Sequence, residues 1–153
     1  MSSPVKSHVI LMADDDADDL LLAKDALAES HLQSEVHVVE NGEELLDYLF
    51  HRGKYSDGSA PRPSLILLDL NMPRKDGREV LRELKADPDL RRIPVVVLTT
   101  SKADTDVGVI YELGANSFIT KPVEFAALVN IMKLLGSYWL GIVELPAPKR
   151  TYL

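Results

Sequence analysis

Val9-Ile10-Leu11-Met12-Ala13-Asp14-Asp15-Asp16 sets five apolar residues directly against three acids. An unbroken apolar run of this length suits a strand covered on both faces, as in a parallel sheet where neither face meets water. Leu65-Ile66-Leu67-Leu68 has the same form and ends at Asp69. So does Val95-Val96-Val97-Leu98, which ends at Thr99 and Thr100. Glu35 to Val39 and Ser117 to Thr120 are shorter and more polar, as strands at or near a sheet edge are, and the second runs into Lys121.

Segments of helical period separate these runs. Asn41 followed by Glu44, Asp76 by Glu79, and Ser101 by Asp104 resemble capping boxes, in which a side chain satisfies the free N–H groups of a helix start. The helices they open are expected to bury Leu45, Leu46 and Leu49, then Val80, Leu81 and Leu84, then Val107, Ile110 and Tyr111, with Gly114 as the stop of the last. A first helix over about 16–29 carries Leu20, Ala23 and Leu27 on one side. A final helix over about 123–138 carries Phe125, Leu128, Val129, Met132 and Leu135. Five strands alternating with five helices, joined by right-handed crossovers, predict a doubly wound α/β fold with helices on both faces of a parallel sheet. For a chain of this size the flavodoxin-like strand order 2-1-3-4-5 is favoured. Residues 1–139 form the expected domain. Within it, 51–63 is a long polar loop; beyond it, 140–153 is a tail whose two prolines prevent it from simply extending the last helix.

Bulk properties exclude several classes of function. At 153 residues a single domain is expected. A net charge of −7 argues against nucleic-acid binding, which needs a basic surface to displace counterions from phosphates. The absence of cysteine rules out disulfides. No unbroken apolar run approaches the roughly 18 residues of a membrane span, and the N-terminus lacks a signal-peptide core. A cytoplasmic protein without membrane contact is expected.

Open α/β sheets bind ligands beyond the carboxyl ends of their strands. The residues predicted there are Asp14, Asp15 and Asp16, then Asp69, then Thr99 and Thr100, then Lys121. Taken singly these are a helix cap, a turn residue, a strand end and a surface lysine. Taken together they place carboxylates, a hydroxyl and an ammonium at one edge. Clustered carboxylates repel, and a hard cation with oxygen ligands relieves the repulsion; magnesium, which is held by a few carboxylates plus phosphate, suits such a site. One carboxylate can then attack phosphorus while the ammonium and hydroxyl stabilise charge on the transferred oxygens. The reaction class is phosphoryl transfer to an aspartate. The four histidines show no metal-ligand spacing, and no glycine-rich nucleotide loop is present.

The segments Ile10 to Asp16, Leu68-Asp69-Leu70-Asn71-Met72-Pro73-Arg74-Lys75-Asp76-Gly77, Val97-Leu98-Thr99-Thr100 and Phe118-Ile119-Thr120-Lys121-Pro122 resemble, in residue and spacing, the signature of CheY-like receiver domains. The resemblance covers roughly residues 8 to 137. It implies that Asp69 is the phosphoacceptor, that Asp14 and Asp15 form the acidic pocket with it, and that Asn71 lends its backbone carbonyl to a magnesium ion. It also implies that Thr99 binds a phosphoryl oxygen and acts as a switch with the aromatic Phe118. Lys121 would pair with the phosphoryl group, and Pro122 would follow in a cis peptide. The implied protein is a response regulator of a two-component system: a phosphoacceptor from a histidine kinase, signalling through protein–protein contact and catalysing only its own phosphotransfer and dephosphorylation.

The enlarged loop before strand three and the tail Gly136 to Pro146 resemble the small regulators that partner phytochrome-type histidine kinases. The tail is too short for a DNA-binding domain, so output is expected through another molecule. Trp139, Ile142, Val143 and Leu145 either pack back on their own domain or dock on a second copy to give a two-fold dimer. Two other readings stand beside this one. A magnesium-dependent phosphatase with an aspartate nucleophile would resemble Asp-x-Asp sites, whereas here Asn71 holds the second position. An adaptor working without phosphorylation would have no need of the full residue set.

Overall fold

The apolar runs pair side by side as a five-stranded parallel sheet in the order β2-β1-β3-β4-β5. The strands are β1 His8–Ala13, β2 Ser34–Val39, β3 Leu65–Leu68, β4 Val95–Thr100 and β5 Ser117–Lys121. The helices are α1 Ala17–Ala28, α2 Gly42–Phe50, α3 Gly77–Ala86, α4 Val107–Glu112 and α5 Phe125–Gly136. The structure, a computed structural model, describes residues 8–28, 34–100 and 107–147. The Ser101–Asp104 capping box lies outside them.

Alternation along the central strands divides the interior in two. Leu11, Ala13, Ile66, Leu68, Val95 and Val97 face Leu45, Val80, Leu81 and Ile110 of α2, α3 and α4. Their neighbours Ile10, Met12, Leu65, Leu67, Val96 and Leu98 face Leu20, Leu27, Leu128 and Met132 of α1 and α5. Every residue of β3 is buried, which is why its sequence shows no polar alternation. The edge strands β2 and β5 are only partly covered and read as more polar for that reason.

Local chemistry sets the helix starts. The Asn41 side chain accepts the Glu44 N–H at 2.8 Å, while the Glu44 carboxylate returns to the Glu40 N–H at 2.9 Å, one residue earlier than a strict capping box. Asp76 accepts from the N–H groups of Arg78 and Glu79. Asp16 does the same for α1, accepting from Asp18 and Asp19 at 3.0 and 3.2 Å. The loop after α2 is more ordered than its composition implies. It contains a 3₁₀ turn at Gly53–Tyr55, and the Tyr48 hydroxyl donates to the Pro61 carbonyl at 2.7 Å.

Some expectations about helix faces change. Of the α4 residues expected inside, only Ile110 is buried; Val107 and Tyr111 are exposed because this six-residue helix lies along the sheet edge. Phe125 is likewise exposed at the first turn of α5, whereas Leu128, Met132 and Leu135 are buried. The chain does not break at residue 140. It continues from α5 through a π-helical turn, Ser137–Ile142, and Leu140 is buried in the α1/α5 core. Phe125–Ile142 is then an 18-residue helical stretch of mean hydropathy 1.4, long and apolar enough by length and composition to cross a membrane. Counting unbroken runs passed over it because Asn130 and Lys133 interrupt the apolar residues.

Candidate phosphoacceptor site

The parallel sheet brings the carboxyl ends of β1, β3, β4 and β5 to one edge, and the residues expected there meet. Asp14 follows β1 and Asp69 follows β3; with Asp15 they form a cluster whose ligand oxygens lie within 4.8 Å of one another. Asp14 and Asp69 are buried and Asp15 is exposed, so the cluster opens to solvent on one side. Gly77 lets α3 start directly behind it: a β-carbon there would stand 2.8 Å from the Asp69 carbonyl oxygen.

Each buried polar group has a partner. Thr99 is 1% exposed, and its hydroxyl donates to Asp69 Oδ1 at 2.7 Å. Asn71 adds its N–H to the same oxygen at 3.2 Å, and its side-chain amide donates to the Thr99 hydroxyl at 3.2 Å. The Asp14 carboxylate accepts the Asp16 N–H on one oxygen and the Lys121 ammonium, at 2.5 Å, on the other. Lys121 makes a second ion pair, with Asp19 on the first turn of α1, at 2.9 Å.

Burial pushes the Asp14 carboxyl above its usual range and the nearby Asp69 charge adds to this; Lys121 and the Asp16 N–H pull the other way without cancelling it. Burial alone would lower the Lys121 ammonium. Its bonds to Asp14 and Asp19 outweigh that, and the net direction is upward, so it stays charged. The edge therefore holds a crowded negative cluster beside a fixed positive charge. Three clustered carboxylates, reached from solvent on the Asp15 side, are oxygen donors of the kind a hard divalent cation takes, and a cation there relieves the Asp69 repulsion that adds to the effect of burial on Asp14. The donor set fits such a cation.

One expected feature is corrected. Among the described residues there is no cis peptide bond, so Lys121–Pro122 is trans. The trans form is the lower in energy for an X–Pro bond, and Lys121 reaches Asp14 and Asp19 from it. Phe118 sits half-buried against the α2/α3/α4 core, and its backbone N–H donates to the Tyr111 hydroxyl at 3.1 Å. Trp139 and Leu145 pack on their own domain, against the α1/α5 core; Val143 is half-buried and Ile142 is exposed.

Sequence reasoning missed Asp19 as a partner of Lys121. It lies inside the acidic run Asp14 to Asp19, but the run does not tell which of its carboxylates α1 turns toward β5. Tyr111 was missed too, since an aromatic on a helix reads as core.

A doubly wound sheet with this constellation at its carboxyl edge defines the receiver class, and residues 10–133 match the response regulator receiver domain family, to which the chain belongs. It is a response regulator and resembles those linked to phytochromes. It is 44% identical to response regulator Rcp1 of Synechocystis sp. over 95% of this chain and 97% of that protein. The phosphorylated cyanobacterial phytochrome response regulator RcpA superimposes with a TM-score of 0.87 at 44% identity, covering 93% of this chain and all of that one. The Mn(2+)-bound form of Rcp1 superimposes at 0.85, also at 44% identity, over 92% of this chain and 99% of that one.

Proposed function

We propose that Asp69 accepts a phosphoryl group from a phosphohistidine of a histidine kinase, in a reaction that requires magnesium. The observation that carries this is the convergence on one sheet edge of Asp14 and Asp15 after β1, Asp69 after β3, Thr99 of β4 and Lys121 of β5. Asp14, Asp15 and Asp69 would hold the cation with the Asn71 backbone carbonyl; bound there, it would neutralise the carboxylates and charge on the transferred oxygens. A carboxylate oxygen of Asp69 forms the new O–P bond as the P–N bond of the donor breaks. Lys121 and Thr99 supply the positive charge and the hydroxyl donor for the phosphoryl oxygens. To meet one, Thr99 must leave Asp69 Oδ1, and its movement would free room for Phe118 to follow, coupling the site to the β5 edge.

The test is intact mass after incubation with acetyl phosphate, with and without magnesium. Wild type should gain one phosphoryl group only with magnesium, and Asp69→Asn should gain none. No gain in wild type, with a donor active on another receiver, would favour the phosphorylation-independent adaptor. Steady phosphate release from monoesters would favour the phosphatase.

Likeness to phytochrome response regulators supports a kinase attached to a phytochrome-type photoreceptor as the donor, and a cytoplasmic setting follows from that pairing. Homodimerisation is supported by Leu134, Tyr138 and Ile142, four residues apart in sequence and 60%, 53% and 74% exposed. Apolar side chains this exposed on consecutive turns favour burial against a second copy.

A further inference from the structure

Lys121 is held by two carboxylates of different standing. Asp14 belongs to the cluster of oxygens fit for a cation; Asp19 does not. Asp19 lies on the first turn of α1, its N–H bonded to the Asp16 side chain, and its carboxylate meets the ammonium at 2.9 Å. An ammonium has three donors, and these two partners occupy two of them. The oxygen that Asp69 turns inward is taken by Thr99 and the Asn71 N–H. Once a cation shares the charge of Asp14, that carboxylate pulls less on Lys121. Asp19 is then the partner that keeps its full hold.

We propose that Asp19 is a positioning residue that draws the Lys121 ammonium toward α1, so that the lysine's approach to a phosphoryl group on Asp69 works against the pull of this ion pair. The inference rests on the phosphoacceptor reading and adds a control on it: Asp19 sets how readily the phosphorylated pocket closes. Because its side chain is 29% exposed, water screens the pair and the effect is moderate.

Beryllofluoride, a phosphoryl mimic, reads this at equilibrium. Calorimetric titration with magnesium present compares wild type, Asp19→Asn and Asp18→Asn. Asp18 is exposed on the same turn and makes no ion pair with Lys121, so its variant measures the through-space effect of losing one negative charge near an anion. Asp19→Asn should bind about two- to five-fold more tightly than wild type, with Asp18→Asn unchanged. In the mimic-free protein the ¹⁵Nζ resonance of Lys121 should move in Asp19→Asn alone, and a purely structural role of Asp19 would weaken mimic binding in that variant rather than tighten it. Equal affinity in wild type and Asp19→Asn overturns the inference, as does an equal gain in Asp18→Asn. Failure of wild type to bind at all, or binding retained in Asp69→Asn, removes the phosphoacceptor reading and this inference with it.

Discussion

Asp69 shows how little a residue means alone. At the end of an apolar strand an aspartate is most simply a turn residue. It becomes a candidate nucleophile because Asp14 and Asp15 bring two more carboxylates within 4.8 Å and Thr99 bonds it at 2.7 Å. The repulsion in that cluster makes a prediction. A divalent cation that binds the folded chain alone stabilises it by mass action, by about 2.7 kcal/mol at a hundred times its dissociation constant. Magnesium should therefore raise the melting temperature of wild type, and Asp15→Asn should lose most of that rise. Asp15 is the exposed member, so this variant leaves the buried bonds of Asp14 and Asp69 in place. A melting temperature indifferent to magnesium in both proteins would speak against a cation site.

Among the elements, α2 and the loop after it are tied by tyrosines. Tyr48 is 2% exposed and bonds the Pro61 carbonyl, and Tyr55 bonds Glu44 at 3.1 Å. Removing the Tyr48 hydroxyl with Tyr48→Phe should cost about 0.5–1.5 kcal/mol in denaturant unfolding. Burial, with smaller contributions from the Glu35 charge and Tyr55, pushes the Tyr48 phenol up to about 12. The folded chain thus keeps a proton that the unfolded chain releases near pH 10, about the ordinary tyrosine value. The stability this gives is complete below about pH 10 and is lost as pH rises toward about 12. Stability of wild type should fall across that window and fall less in Tyr48→Phe; Tyr55, raised by burial and by Glu44, leaves some slope in both. At the end of α4, Gly114 has φ +111°, and a β-carbon would stand 2.5 Å from the Lys85 side chain. Gly114→Ala should therefore lose roughly 1 kcal/mol or more, measured the same way. Gly114 was legible as a stop because glycine alone takes that backbone cheaply, whereas Tyr111, one turn earlier, gave no sign that it would serve the edge of β5.

For the whole molecule the open question is the exposed stripe Leu134, Tyr138 and Ile142. Truncating the tail is a poor test, because Trp139, Leu140 and Leu145 belong to the chain's own core and their loss would unfold part of it. Ile142→Glu alters the most exposed of the three without touching that core. It should convert a dimer to a monomer in sedimentation equilibrium with little change in melting temperature. A monomeric wild type, or a variant as dimeric as wild type, would remove the dimer reading.

What the sequence determined by itself is the strand order and the place of the site. Apolar runs buried on both faces announce a parallel sheet, crossover handedness leaves few orders, and the residue after each run must then stand at the carboxyl edge. Asp14, Asp69, Thr99 and Lys121 were found by that rule, since strand ends are local features. Tertiary structure decided the pairings that depend on how separate elements meet. It turned Asp19 of α1 toward Lys121 of β5 and carried the last helix past residue 140 into the core. These outcomes depend on the angle and depth at which a helix packs on the sheet, which arise from contacts between residues far apart in the chain and leave no mark in the residues themselves.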